Sequence, residues 1–332
     1  MAIERPYRKM VGRAQPPERT AIVTGASSFV GCHLARAYAD AGWAVVAVTS
    51  RARETYDGIR AQRLDFIAGR VAFAVCDLTD ADAAAVLVDE YAPVLWVQHA
   101  GYADNYASRD YDLEKSLALN VVALEPLYRT LYGRGCGVIV TGSSMEYSAS
   151  DAANREDDVC WPDLPYGVSK LAETVEAHRL ACQYGVATRV ARLYIPVGPL
   201  DAPGKLMDFV TRQLVAGKTA GLSPCEQKRD FLGIRDLCNA YVKLADDFHR
   251  QTFDVFNICS GAATRVKTLL EGLADAVGAD RALLDFGARG MRPGETMVSF
   301  GDNTKARTVL GWTPRPLEDA LKDLVEHVRT AD

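Results

Sequence analysis

The chain has 332 residues, 48% of them hydrophobic and 24% charged, with a formal net charge of −5, ample for a large buried core in one domain or two closely packed ones. The acidic balance and the scatter of basic residues argue against a nucleic-acid partner, and no apolar stretch reaches the length of a membrane span. Eight cysteines without a C-x-x-C pair or a histidine partner give neither a disulfide framework nor a metal site, and suit a reducing, cytoplasmic setting.

Residues 1–18 are basic and Pro-containing, lack the apolar segment of a secretory leader, and read as a flexible tail. From there, short β-branched or apolar runs at 20–25, 43–50, 71–77, 94–100, 137–144 and 187–195 alternate with longer helical stretches. This alternation predicts a parallel sheet wrapped by helices, and the unbroken apolar texture of the runs predicts strands covered on both faces. After Ile195 the Pro/Gly-rich VGPLDAPG breaks the pattern, and a helix over 206–217, a polar loop and mixed elements follow. Residues 234–248 and 253–259 again read as helix then strand. The expected architecture is a Rossmann-type doubly wound α/β fold with a smaller α/β C-terminal lobe. A dinucleotide-binding domain is expected to take 19–195 with the return segment 234–260, and a substrate-binding lobe 196–233 and 261–332.

The first run leads directly into Gly25-Ala26-Ser27-Ser28-Phe29-Val30-Gly31, which opens a helix. Glycine there permits a tight turn and close approach of a pyrophosphate, whose charge is met by the helix N-terminus. Gly25, Ser27, Ser28, Phe29, Val30 and Gly31 are therefore the expected phosphate contacts, with Ser28 standing where a G-x-x-G-x-x-G turn has its middle glycine. The second run ends in Thr49-Ser50-Arg51, without the carboxylate that holds the adenosine ribose hydroxyls of NAD. Ser50 and Arg51 suit a 2′-phosphate, which favours NADP over NAD. Asp77 and Leu78 would border the adenine, and Ala100, Gly101 and Asn120 complete the cofactor candidates.

Tyr166 and Lys170 share a face at i, i+4 in the helical stretch YGVSKLAETVEAHRLACQYG. An ammonium beside a phenol stabilises the phenolate and would lower the tyrosine pKa toward the range of proton exchange with a sugar hydroxyl. Spacing alone does not select this pair, because Tyr111 and Lys115 repeat it. Tyr166 is distinguished by its place between the serine-bearing run GVIVTGSS and the run ATRVARLYI; Tyr111 and Lys115 are expected on a solvated helix face.

With these elements in order, the chain resembles the extended short-chain dehydrogenase/reductase family of nucleotide-sugar epimerases, dehydratases, decarboxylases and reductases. The resemblance spans about residues 19–330 and rests on TGASSFVG, Asn120 in LALNVVAL, GSSMEY, YGVSK, RDFLGIRD, NICSG, RPGE and LGWTPRPLEDAL. It implies Tyr166 and Lys170 as the catalytic pair, a Ser143 or Ser144 hydroxyl steadying the reacting oxygen, and Arg229 and Arg292 gripping a nucleotide diphosphate, a task suited to bidentate guanidinium contacts. It also implies a homodimer. The Phe-Asn of many relatives is replaced by Tyr194-Ile195.

The segment Gly142–Tyr147 decides the subclass and aligns in two ways. If Tyr147 matches the family's Val-Tyr-Gly tyrosine, Ser143 is the catalytic hydroxyl, Glu146 is incidental, and the chain resembles NADPH-dependent 4-keto-6-deoxy-sugar reductases. If Ser144-Met145-Glu146 matches the family's Thr-Asp-Glu, Glu146 becomes a base at C5 beside a transient 4-keto group and Met145 lies against the substrate. The leading expectation is transient oxidation at C4, with epimerisation or dehydration as outcome. The alternatives are the reductase and, in another class, a non-catalytic cofactor-sensing protein.

Overall fold

The computed structural model describes residues 19–331 apart from 81, 292 and 293; the N-terminal tail and Arg292 lie outside the described residues. The apolar runs become strands because both of their faces find cover: all four residues of Leu95–Gln98 and all seven of Gly137–Ser143 are buried.

In chain order the first part comprises β1 (Thr20–Thr24), α1 (Phe29–Asp40), β2 (Ala44–Thr49), α2 (Gly58–Ile67), β3 (Ala72–Val75), α3 (Ala83–Tyr91), β4 (Leu95–Gln98), α4 (Leu113–Leu117), α5 (Leu124–Leu131), β5 (Gly137–Ser143), α6 (Pro165–Tyr184) and β6 (Thr188–Leu193). There follow β7 (Ile195–Val197), α7 (Leu206–Val215), β8 (Ala220–Leu222), β9 (Lys228–Arg229), β10 (Phe231–Gly233), α8 (Ile234–Leu244) and β11 (Phe253–Ile258). The chain closes with β12 (Thr264–Arg265), α9 (Val266–Val277), β13 (Leu284–Phe286), β14 (Val298–Ser299), α10 (Thr304–Leu310) and α11 (Leu317–Ala331).

Seven strands form one sheet in the order β11-β6-β5-β4-β1-β2-β3, every pairing parallel. The winding reverses between β1 and β4, so the carboxyl ends of these strands frame the crevice where α/β sheets bind ligands. One face of the sheet packs on α1, α2 and α8 through residues such as Leu34, Leu64 and Tyr241, and the other on α3, α5 and α6 through Leu87, Leu127 and Leu180. A third core joins α7, α9 and α11 beside three small sheets.

Several motifs prove to be joints between these parts. Asp230 is buried and its carboxylate accepts from the amides of Ser260 and Gly261, which ties β9 to the NICSG loop. The Asp236 carboxylate accepts from Arg315 Nε and the Asp236 carbonyl from the Trp312 indole. Ala306 of α10 and Trp312 just beyond its end thereby join the core under the large sheet, although 261–332 is expected in the smaller lobe: the indole needs an acceptor when buried and finds it on α8. Among the described residues no helix is long and apolar enough to cross a membrane.

Candidate active site

The turn after β1 is shaped by two glycines. Gly25 has φ +71°, and a Cβ there would lie 2.9 Å from Ala100 Cα; a Cβ on Gly31 would lie 2.1 Å from the Gly25 carbonyl oxygen. Both positions therefore exclude any larger residue, whereas Ser28, with φ −82° and ψ 166°, sits in ordinary extended backbone and caps α1 by accepting from the Gly31 amide at 2.9 Å. Phe29 and Val30 bury their side chains and leave first-turn amides that no helix carbonyl can reach. Such a cradle of free N–H groups at a helix N-terminus fits the pyrophosphate of a dinucleotide. Arg63 of α2 braces it by donating to the Ser27 carbonyl, and Thr24 Oγ1 accepts the amides of His99 and Ala100, fastening β1 to β4. Gly101 lies in the open beyond them, against Asn120.

Ser50 and Arg51 are exposed at the end of β2, and the Arg51 guanidinium lies over the Tyr56 ring at 4.3 Å. No carboxylate pairs with Arg51 among the described residues. Asp77, exposed at the end of β3, accepts from the Thr79 side chain and amide, which hold its pKa below the usual value. Leu78 beside it is half-buried.

Asn120 lies in a π-helical bulge, Ala118–Val122, and is fully buried. Its Oδ1 accepts the Tyr102 amide and its Nδ2 donates to Ser116 and Ser169. Expected as a cofactor contact, it instead fixes the loop after β4 against α6, with no side-chain donor left for a ligand.

Tyr166 and Lys170 occupy the first turns of α6. A Cβ on Gly167 would lie 2.1 Å from the Met145 carbonyl oxygen, so the glycine following Tyr166 is what lets α6 close on the 3-10 turn Ser144–Glu146. Ser143, the last residue of β5, accepts the Met145 amide at 3.1 Å, and no acceptor for its own proton is found among the described residues; Ser144 and Met145 are half-buried beside it. The Tyr166 ring meets the rings of Tyr106 and Tyr111, each at 5.6 Å between centroids. Tyr111 is therefore no part of a solvated face. It is buried, and its hydroxyl donates to the Tyr102 carbonyl and is hydrogen-bonded to the Ser116 hydroxyl, while only Lys115 reaches solvent.

The electrostatics also depart from expectation. Burial raises the Tyr166 pKa more than Lys170 lowers it, so the residue rests as a neutral phenol. Lys170 is engaged by Glu173, one turn along the same helix and almost wholly buried. Burial opposes the Lys170 charge, yet Glu173, Tyr166 and Glu146 outweigh it and hold the ammonium above its usual pKa. Burial likewise pushes Glu173 up to about 7, against the pull of Lys170.

Glu146 is not placed to act as a C5 base. It has no exposed surface; its Oε1 accepts the Ser143 amide at 2.8 Å, and its Oε2 accepts both Thr174 Oγ1 and Arg192 Nε at 2.9 Å. A Cβ on Gly142 would lie 2.7 Å from that Oε1, so the strand is kept bare to seat the carboxylate. Arg192 also donates to Tyr147 at 2.8 Å. Arg229 donates to the carbonyls of Lys228 and Thr296 and lies 3.5 Å from Glu295. Arg63, His99, Glu173 and Arg192 stand at the site although no motif pointed to them. Glu173 carried a signal, three residues from Lys170 on one helix face, and Arg192 carried one as a cation inside an apolar strand.

The chain matches the model of the NAD dependent epimerase/dehydratase family over residues 21–259. It is 26% identical to a GDP-6-deoxy-D-mannose reductase of Pseudomonas aeruginosa, over 92% of this chain and 97% of that one. A UDP-glucose 4-epimerase of Mycolicibacterium smegmatis is also 26% identical, over 93% and 98%. The fold matches the crystal structure of a Bacillus cereus UDP-glucuronic acid 4-epimerase in complex with UDP-glucuronic acid and NAD, with a TM-score of 0.81 at 21% identity, covering 94% of this chain and 100% of that one.

Proposed function

The chain belongs to the NAD-dependent epimerase/dehydratase family and is an NAD(P)-dependent nucleotide-sugar enzyme; from that premise we propose that it is an NADPH-dependent reductase of a nucleotide-linked 4-keto-6-deoxy sugar. The observation that carries this reading is Glu146. With that carboxylate sealed against Arg192, the residues at the end of β5 offer no base for C5 and no acid for a C6 hydroxyl, so the chemistry left to Ser143, Tyr166 and Lys170 is confined to C4.

Bound nicotinamide would supply the hydride. Ser143 would donate to the C4 oxygen, Tyr166 would deliver the proton, and Lys170 would stabilise the phenolate left behind. A Tyr166 that rests protonated suits the reducing direction, in which the first demand on it is donation. The turn Gly25–Gly31 would hold the pyrophosphate and Asp77 and Leu78 the adenine. The lobe built on 196–233 and most of 261–332 would receive the sugar nucleotide, with Arg229 and Arg292 near its phosphates. A second copy would cover the exposed valines Val168 and Val175, seven apart on α6.

The test is cofactor stoichiometry. Incubation with NADPH and nucleotide 4-keto-6-deoxy sugars should consume one reduced nicotinamide per product. Turnover of a sugar nucleotide with no net change in cofactor would instead establish the second reading, a C4 epimerase, which likewise needs no C5 base and is favoured by the similarity to UDP-glucose 4-epimerase.

Choice of cofactor gives a separate expectation. Arg51→Ala should weaken NADPH binding by about 10- to 100-fold, the worth of a charge-assisted phosphate contact, and leave NADH binding unchanged. Titration by nicotinamide fluorescence measures both, and an equal change for the two would remove Arg51 from the 2′-phosphate site.

A further inference from the structure

Ser28 fills the place of the middle glycine in the phosphate turn, and its hydroxyl ends a chain of four buried or half-buried polar groups. Ser28 Oγ lies 2.9 Å from His99 Nε2, His99 Nδ1 lies 3.0 Å from Thr141 Oγ1, and Thr141 Oγ1 lies 2.8 Å from the Tyr241 hydroxyl. The chain runs from the turn, past the ends of β4 and β5, to α8. Burial, aided by Lys170, pushes the His99 pKa down to about 3, so the imidazole is neutral and carries a single N–H.

Only three proton arrangements then satisfy every bond along the chain. In one, Tyr241 donates to Thr141, Thr141 donates to His99 Nδ1, and His99 Nε2–H donates to Ser28, whose own proton is left over. In the other two Ser28 donates to His99 Nε2 and His99 Nδ1–H donates to Thr141, and the proton left over belongs to Tyr241 or, where Tyr241 still donates, to Thr141. These surplus donors have different surroundings. Tyr241 is fully buried and Thr141 is buried, and neither hydroxyl has a hydrogen-bond partner outside the chain among the described residues. A buried hydroxyl without an acceptor is disfavoured by on the order of tenfold or more. Ser28 is only partly buried and faces the cradle.

We propose that the chain is polarised outward from the core, so that Ser28 presents a free O–H to the cofactor pyrophosphate while its lone pairs are filled by His99 and by the Gly31 amide. Ser28 then acts purely as a donor, matched to an anion. His99, Thr141 and Tyr241 are positioning residues that set its direction. This rests on the turn being the dinucleotide site.

The primary test needs no variant: long-range 15N–1H correlation on the labelled protein resolves the tautomers of its five histidines. His99 should be protonated on Nε2, and should remain so in Tyr241→Phe, because the reversed chain then leaves its surplus proton on the buried Thr141. Calorimetry with NADPH adds the ligand side. Ser28→Ala and Ser28→Gly should each weaken binding by about tenfold, even though glycine restores the usual motif and caps the helix nearly as well. His99 protonated on Nδ1, or Ser28→Gly binding NADPH as tightly as the native protein, overturns the proposal. If instead the amide resonances of Ser27–Gly31 do not move when NADPH is added, it is the dinucleotide reading of the turn that fails.

Discussion

Tyr166→Phe is expected to lower kcat by roughly 10²- to 10⁴-fold, the usual contribution of a positioned proton donor, while the dissociation constant for the cofactor changes little. The substitution removes one oxygen from a ring already held by Tyr106 and Tyr111, each 5.6 Å away, and no protein hydrogen bond to that oxygen is found among the described residues. Folding should therefore be nearly unaffected, and a thermal melt of the variant should overlay the native one. A variant that binds cofactor, melts normally and still turns over at more than a tenth of the native rate would remove Tyr166 from the proton transfer.

Arg192→Leu is expected to destabilise the fold by about 3–5 kcal/mol, because it strands a fully buried carboxylate without its cation. Glu146 would retain the Ser143 amide and Thr174, and Tyr147 would lose the guanidinium that now donates to its oxygen. Pairing it with Glu146→Leu should recover most of the loss, since well-packed apolar pairs replace buried ion pairs at little net cost. Urea unfolding of the two single variants and the double variant measures the coupling. A single variant as stable as the native chain would mean that Glu146 is not held as a buried counter-ion, and would reopen its role as a base.

The division of labour between local and long-range information follows from these residues. Alternating apolar runs made the parallel sheet legible, because strands covered on both faces must be apolar throughout. The glycines of the turn after β1 were legible for a similar reason: positive φ at Gly25 and the carbonyl packed against Gly31 leave no room for a side chain, so sequence and geometry cannot disagree there. Order among the strands is what sets Tyr166/Lys170 apart from Tyr111/Lys115 as the proposed catalytic pair.

Side-chain partners across the chain were another matter. Nothing within Ser-Ser-Met-Glu says whether Glu146 faces a sugar or the interior; that is decided by Arg192, 46 positions away on the neighbouring strand. Tyr111 read as a solvated residue because its burial comes from Tyr102, Ser116 and Tyr166, which only folding assembles. His99 meets Ser28 and Tyr241 across separations that no spacing rule spans. The sequence by itself determined the sheet, the turn and the family, since each depends on backbone conformation and on the periodicity of burial along the chain. Only the tertiary structure decided which polar groups remain free to do chemistry, because a buried charge or hydroxyl is disposed of by whichever partner the fold brings to it.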